Sequence, residues 1–282
     1  MNKNLNKLGV FLIAYLLLSM SAFAEEKGRA LVPLTSITDY TTGDGWASAV
    51  GLKMEYLSVF DGAEQYTLEI KPDVAIQWRS AEQTLFLEWA DLDGLELGWR
   101  GLIQNNWFMQ AGARHETVLP SGDTQAENIN GFPHRGSHVL AFVETRHPLA
   151  EGWGSWLSGR LSAGPASFGY RGKVALGHRF GRKLDGTGLD VTLYSSFADK
   201  KNNNNYFGVT EADATASGLA QSDLQGGYRS TGLNLMYRTS VGVNIQITAQ
   251  AGVEVYSSNV TKSSIVSDKP ETNAAISVLR RF

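Results

Sequence analysis

Five histidines, His115, His134, His138, His147 and His178, are the side chains of this chain best suited to shuttle protons near neutral pH. One of them has a potential nucleophile beside it. The run Pro133-His134-Arg135-Gly136-Ser137-His138 sets Ser137 next to His138, the kind of pair a hydrolase uses. Geometry defines a triad, however, and no GxSxG, HExxH or P-loop pattern accompanies the pair. It reads as two neighbours in a solvated loop. His134 and His138 are equally poor evidence for a metal. The 282 residues contain no Cys, which excludes a thiolate nucleophile, a thiolate metal site and a disulfide framework. No catalytic residue, cofactor or metal ligand is expected. A formal net charge of −3 lacks the basic excess of a nucleic-acid binder.

The charged residues are more informative, because many of them alternate with apolar ones. Acids in such positions are Glu55, Glu69, Glu88, Glu96, Glu144, Asp190 and Glu254. The bases are Lys53, Lys71, Arg100, Arg114, Arg146, Arg160, Arg171, Lys173, Arg179 and Arg238. If these line one wet face, both signs should pair, since an unpartnered charge in a low-dielectric tube is costly. Glu69, Lys71, Glu96, Arg100, Arg114, Arg171, Lys173, Arg179, Arg238 and Glu254 are the candidates for such a lumenal ion-pair network.

The elements that hold them are strands. Val241, Val243, Ile245, Ile247, Ala249, Ala251, Val253 and Val255 alternate with mostly polar or glycine neighbours, describing a strand over 241–256 with one greasy and one wet face. Similar segments recur at 46–60, 64–79, 82–90, 94–103, 106–117, 137–147, 152–163, 169–180, 187–197, 228–239 and 271–282, so about twelve strands are expected. Two are blurred, because Phe86, Leu140 and Phe142 fall on the polar side. If both termini lie on one side, the long gaps 118–136, 198–227 and 257–270 all fall at the opposite end. Outer-membrane barrels sort their loops in this way, and a soluble sandwich has no reason to.

Ahead of the strands, Lys3 and Lys7 precede the apolar run Leu8–Leu18 and the small-residue site before Glu25. Residues 1–24 read as a cleaved signal peptide, 25–45 as a pre-barrel periplasmic segment and 46–282 as the barrel. Because hydrocarbon offers no partner to a bare peptide group, only helices and closed sheets span it. No later stretch has the ~20 apolar residues of a membrane helix, so an antiparallel transmembrane β-barrel remains. Trp78, Trp89, Trp99, Trp107 and Trp153 near the expected strand ends suit interfacial girdles. The terminal Phe282 suits the signal read by the barrel-assembly machinery, with Arg280 beside it facing lipid headgroups.

Tyr206-Phe207-Gly208-Val209, then Ala216-Ser217-Gly218-Leu219 and Gly226-Gly227, resemble a signature of the MipA/OmpV family of outer-membrane proteins. Val50-Gly51-Leu52 to Tyr56, Phe60-Asp61-Gly62-Ala63-Glu64-Gln65-Tyr66 and Pro72 resemble that family's first hairpin, with Phe168-Gly169-Tyr170-Arg171-Gly172 and Ser264-Ile265-Val266 as weaker echoes. The resemblance implies export to the outer membrane of a Gram-negative envelope. It also implies a non-catalytic scaffold joining a lytic transglycosylase to a penicillin-binding protein at the peptidoglycan. A narrow porin-like channel for small solutes is the alternative, its lumen largely filled by ion pairs. Loop 198–205, Ala198-Asp199-Lys200-Lys201 followed by Asn202–Asn205, has the polar groups to bind surface sugars or simply to stay hydrated, and it reads as a hydrated loop.

Overall fold

In a computed structural model, the chain is described over residues 44–58, 61–80, 83–90, 94–103, 107–119, 135–149, 154–181 and 187–282, apart from the side chains of 89–90 and 117–119. The expected signal peptide, nearly all of the pre-barrel segment, His134 and Trp153 lie outside these residues. Twelve antiparallel strands follow one another around a closed barrel. They are β1 (Gly45–Ser58), β2 (Tyr66–Ser80), β3 (Gln83–Ala90), β4 (Gly94–Ile103), β5 (Trp107–Leu119) and β6 (Gly136–Pro148), then β7 (Ser155–Ala163), β8 (Tyr170–Phe180), β9 (Gly188–Ala198), β10 (Gly227–Val241), β11 (Ile245–Tyr256) and β12 (Glu271–Arg281). The seam joins β1 to β12 from Ala49↔Arg281 to Tyr56↔Ala274. Phe282 N–H extends it by donating to the Ser48 carbonyl at 2.8 Å.

Period-two alternation puts Val50, Leu52, Met54 and Tyr56 outside and Lys53 and Glu55 inside, and the same rule holds round the wall. Ile70 is 70% and Leu52 62% exposed, and neighbours such as Leu97, Leu161 and Val174 continue the belt. An apolar girdle of that extent would be a liability in water and is what lipid requires. Among the described residues no helix is long and apolar enough to cross a membrane. Trp46 and Trp78, direct partners on β1 and β2, and Trp107 at the start of β5 sit outward at the end bearing the short turns. Trp99 lies mid-strand instead.

One boundary departs from expectation. The alternation across 241–256 belongs to two strands, because Gly242, at φ +64°, breaks it in a turn that leaves Val243 85% exposed. A left-handed glycine ends a strand, however well the flanking valines keep parity. Phe86, Leu140 and Phe142, which blurred their strands, are 1–3% exposed on the inner face. They are interior packing residues, so the polar-inside rule fails there for a physical reason.

The end opposite the short turns carries the long connections 120–135, 199–226 and 257–270. Two short helices, α1 (Lys200–Phe207) and α2 (Glu211–Ser217), fold within 199–226.

Candidate functional site

The lumen wall is built on glycine seats. Phe86, Gly98, Gly112 and Phe142 form one register row across β3 to β6. A Cβ on Gly98 would come within 3.0 Å of the Phe86 ring, and one on Gly177 within 2.1 Å of the Trp156 ring opposite it. Large rings therefore lie flat over residues that have no side chain. Cations stack above several of these rings: Arg100 over Phe86 at 4.4 Å, Arg160 over Phe142 at 4.1 Å and Lys173 over Tyr194 at 4.4 Å. The arrangement supplies cation–π attraction at sites shielded from bulk water.

Carboxylates tie those cations together. Arg100 donates to Glu88 through two 3.1 Å bonds and reaches Gln77 at 3.4 Å. Glu96 joins Arg114 at 3.1 Å to Arg160 at 2.5 Å, and Arg160 extends to Glu144 at 3.4 Å. Glu144 also holds Arg146 at 2.6 Å. Arg179 meets Asp190 at 2.5 Å. Across the barrel, Glu55 bridges Lys53 at 3.0 Å and Lys71 at 3.1 Å, and Lys71 reaches Glu69 at 2.7 Å. Glu254 accepts the Tyr194 hydroxyl at 2.8 Å, and Arg238 lies 2.9 Å from the Met236 sulfur. Lys173 has Tyr194 rather than a carboxylate as its contact.

The lumen contains a cavity of about 290 Å³. Its cations are Arg114, Arg146, Arg160, Arg171, Lys173, Arg229 and Arg238, and its acids Asp61, Glu144, Asp190 and Glu254.

The loops above it fold into a cap with its own apolar core. Ala63, Phe168, Tyr206, Phe207, Val209, Leu224, Val260, Ile265 and Val266 are among its buried members. Tyr206 and Phe207 come from the last turn of α1, Gly208 ends it, and Val209 pairs with Ser222 in a one-residue bridge. Gly218 closes α2 in the left-handed conformation at φ +75°. Gly226 packs against the Asp199–Lys200 backbone, and Gly227, at φ +130°, opens β10. Segments far apart in sequence thus meet in one place.

The cap is pinned to the wall by charge. Tyr206 OH donates to Glu116 at 2.6 Å, and Arg171 holds the same carboxylate at 2.7 and 2.9 Å while donating to the Tyr206 oxygen at 3.0 Å. Burial, with Glu116 beside it, raises the Tyr206 phenol well above its ordinary pKa, so it remains a donor. Arg229 sits in a β-bulge against β9, lies over the Tyr206 and Phe207 rings at 4.8 and 4.6 Å, and pairs with Asp61 at 2.8 Å. Arg135 donates to the carbonyls of Asn204, Asn205 and Gly208 at 2.5–2.8 Å and to Asp213 at 2.8 Å. It caps the C-terminus of α1 while Asp213 serves the capping box of α2.

The Asn202–Asn205 run is not a hydrated loop. Asn202 and Asn203 are 1% and 0% exposed, Asn203 donates to Gln225 O at 2.7 Å, and Asn204 exchanges two bonds with the Leu224 backbone at 2.8 and 2.9 Å. Asn205 reaches Ser167 O at 2.9 Å. The amides of Asn203, Asn204 and Asn205 stand in for backbone pairings that loops cannot make for themselves.

Sequence reasoning missed Glu116, Arg229 and Asp61. Glu116 shares parity with Arg114 and was legible. Arg229 needs the bulge to turn inward, and Asp61 is a loop residue. Ser137 and His138 are adjacent on β6, so their side chains leave opposite faces. His138 tilts against Phe168 at 4.5 Å. Among the described residues, Ser155 Oγ lies 2.8 Å from His178 Nδ1 across β7 and β8, with Ser155 only 6% exposed. This contact is a cross-strand hydrogen bond on the outer parity, with its oxygen out of reach of a substrate. Phe282 lies 69% exposed at the seam, with the Arg280 guanidinium 5.2 Å from its ring.

The family model described as MltA-interacting protein MipA matches residues 50–282. The chain belongs to the MipA family. The segments expected to carry that likeness, Tyr206–Val209, Gly62–Ala63, Phe168 and Ile265–Val266, contribute to the cap. No curated protein matches the sequence. Solved structures of similar form include an outer-membrane channel from Pseudomonas putida F1, at 12% identity, TM-score 0.49 and coverage of 92% of this chain and 100% of the other. A FadL homologue from Pseudomonas aeruginosa matches at 8% identity, TM-score 0.41 and coverage of 90% and 95%. The KdgM porin matches at 12% identity, TM-score 0.41 and coverage of 83% and 99%. The MipA-family chain is an outer-membrane β-barrel protein.

Proposed function

We propose that this MipA-family barrel is a non-catalytic, narrow passage for small polar solutes, closed on its loop side by the cap. The observation that carries the reading is the polar cavity of about 290 Å³ held open inside a wall of rings and ion pairs. A barrel meant only as a membrane anchor could fill that space with side chains, as small barrels do. Twelve strands enclose less than the 16–18 of general porins, and the charges here occupy much of what is left. Purified protein in planar bilayers should give steps well below those of a general porin, and Phe207→Ala, which loosens the cap, should raise open time. Absence of any conductance in both proteins sinks the reading.

A second role is favoured by the family description, which names an interaction with MltA. In this reading the barrel anchors a scaffold between a lytic transglycosylase and a penicillin-binding protein. Most connections at the terminal end are short, so residues 25–43 are the segment with enough chain to dock. Export through a cleaved 1–24 signal belongs to the same reading. Crosslinking in intact envelopes should recover a murein enzyme, and deleting 26–43 should abolish the recovery. Equal recovery without the segment places the contact elsewhere.

A further inference from the structure

We infer that the lumenal cavity is a binding site for a small anion, a carboxylate or a phosphate, anchored by Lys173. The charge of the site gives the first reason. Seven cations and four acids line the cavity. Adding the charged groups that those residues hold from behind, Glu96, Glu116 and Arg179, makes the tally eight against six. The excess of cations belongs to the lining itself. It sits inside a lipid-surrounded wall and under the cap, where a fixed charge acts over a longer range than at an open surface.

The second reason is the register. Arg160 and Lys173 are direct partners across β7 and β8 on the inner face, and Arg171 lies two residues from Lys173 on that same face. Like charges placed opposite each other repel, and a sheet tolerates them only when something of opposite sign intervenes. Arg160 is answered by Glu96 and Glu144, and Arg171 by Glu116. Among the described residues, Lys173 meets the Tyr194 ring and forms no ion pair, and it is exposed to the cavity. The ring covers one side of the ammonium. Its remaining donors are available to an anion, which would also relieve the repulsion from the two arginines.

Size gives the third reason. A cavity of about 290 Å³ lies at the small end of ligand pockets, suited to a phosphate or a short dicarboxylate. Lys173 supplies a point charge with several donors, which suits an oxyanion that accepts more than one hydrogen bond better than chloride.

This inference deepens the small-solute reading and rests on it for its physiological sense, but binding itself requires only the cavity. The test is calorimetric titration of the full mature chain in detergent, with inorganic phosphate and succinate in separate arms at constant ionic strength. At least one should bind saturably. Lys173→Met should weaken that anion by about tenfold or more, the loss of one charge-assisted contact, and Lys173→Arg should restore most of it. Heat-modifiable gel mobility establishes that each variant is folded. If Lys173→Met does not fold, competition by phosphate or succinate against chloride current in wild-type protein replaces it, and saturable block is the result expected. Failure of both anions to bind or block overturns the site, as does a folded Lys173→Met that binds like wild type. Saturable binding without conductance keeps the site and removes the passage. Conductance with neither binding nor block keeps the passage and removes the site.

Discussion

The cap and the lumen wall share one barrel mouth but are held together by opposite means. The cap core is a set of aliphatic and aromatic side chains, Phe207 and Val260 at 0% exposure among them, drawn from four connections. The wall beneath has few aliphatic contacts. Its rings rest on glycines and its charges hold one another, as in the Glu96–Arg160–Glu144 chain. An apolar core is held by non-directional burial, whereas a buried charge network depends on every partner. The cap should therefore open without loss of the barrel, while a single wrong charge in the wall should be felt in both. Glu116 and Arg171 are where the two regimes meet, because Tyr206 of the cap enters their pair.

The largest effect expected follows from Phe207→Ala. Removing a fully buried ring costs about 3–5 kcal/mol, here charged to the cap alone. Proteolysis within 199–226 should rise sharply while heat-modifiable mobility is kept; simultaneous loss of the barrel would merge the two regions into one cooperative unit. Next comes Arg171→Met, which leaves Glu116 buried without its main cation at a cost of about 3 kcal/mol. Hydrogen exchange should then report loosening on β5 as well as in α1, and a double-mutant cycle with Tyr206→Phe should be non-additive. Additivity would show that cap and wall are independent.

Gly177→Ala probes the wall alone. Its new methyl would meet the Trp156 ring, and displacing that ring costs about 1–3 kcal/mol. Quenching of Trp156 fluorescence by a small lumenal quencher should change, with cap proteolysis unaltered. The smallest effect belongs to Lys200→Ala, which removes an exposed pair with Asp223 at 2.6 Å and should shift stability by less than about 1 kcal/mol. A larger shift would mean that the cap depends on charge after all.

Strands and loop sorting were legible in the sequence because lipid imposes period-two alternation on every segment. The same rule explains its own failures. Phe86, Leu140 and Phe142 break parity because an interior that is not fully aqueous needs apolar filling, and opposed glycines such as Gly98 and Gly112 make room for it. Gly242 hid a turn within an unbroken alternation of valines. The cap was legible only as a set of scattered signature residues. Nothing local marks Asn202 and Asn203 as buried, since an amide held inside a folded loop looks in sequence like one that faces water. Charges could be assigned to the inner face, but not to partners, because partnership depends on which strands become neighbours in the closed cylinder.

The β1–β12 seam has a consequence for biogenesis. Ala49 and Arg281 are register partners, so the β1 edge left open by the first hairpin cannot be paired until β12 reaches it. Cylinder closure must therefore await β12, with the open edge kept from pairing elsewhere until then.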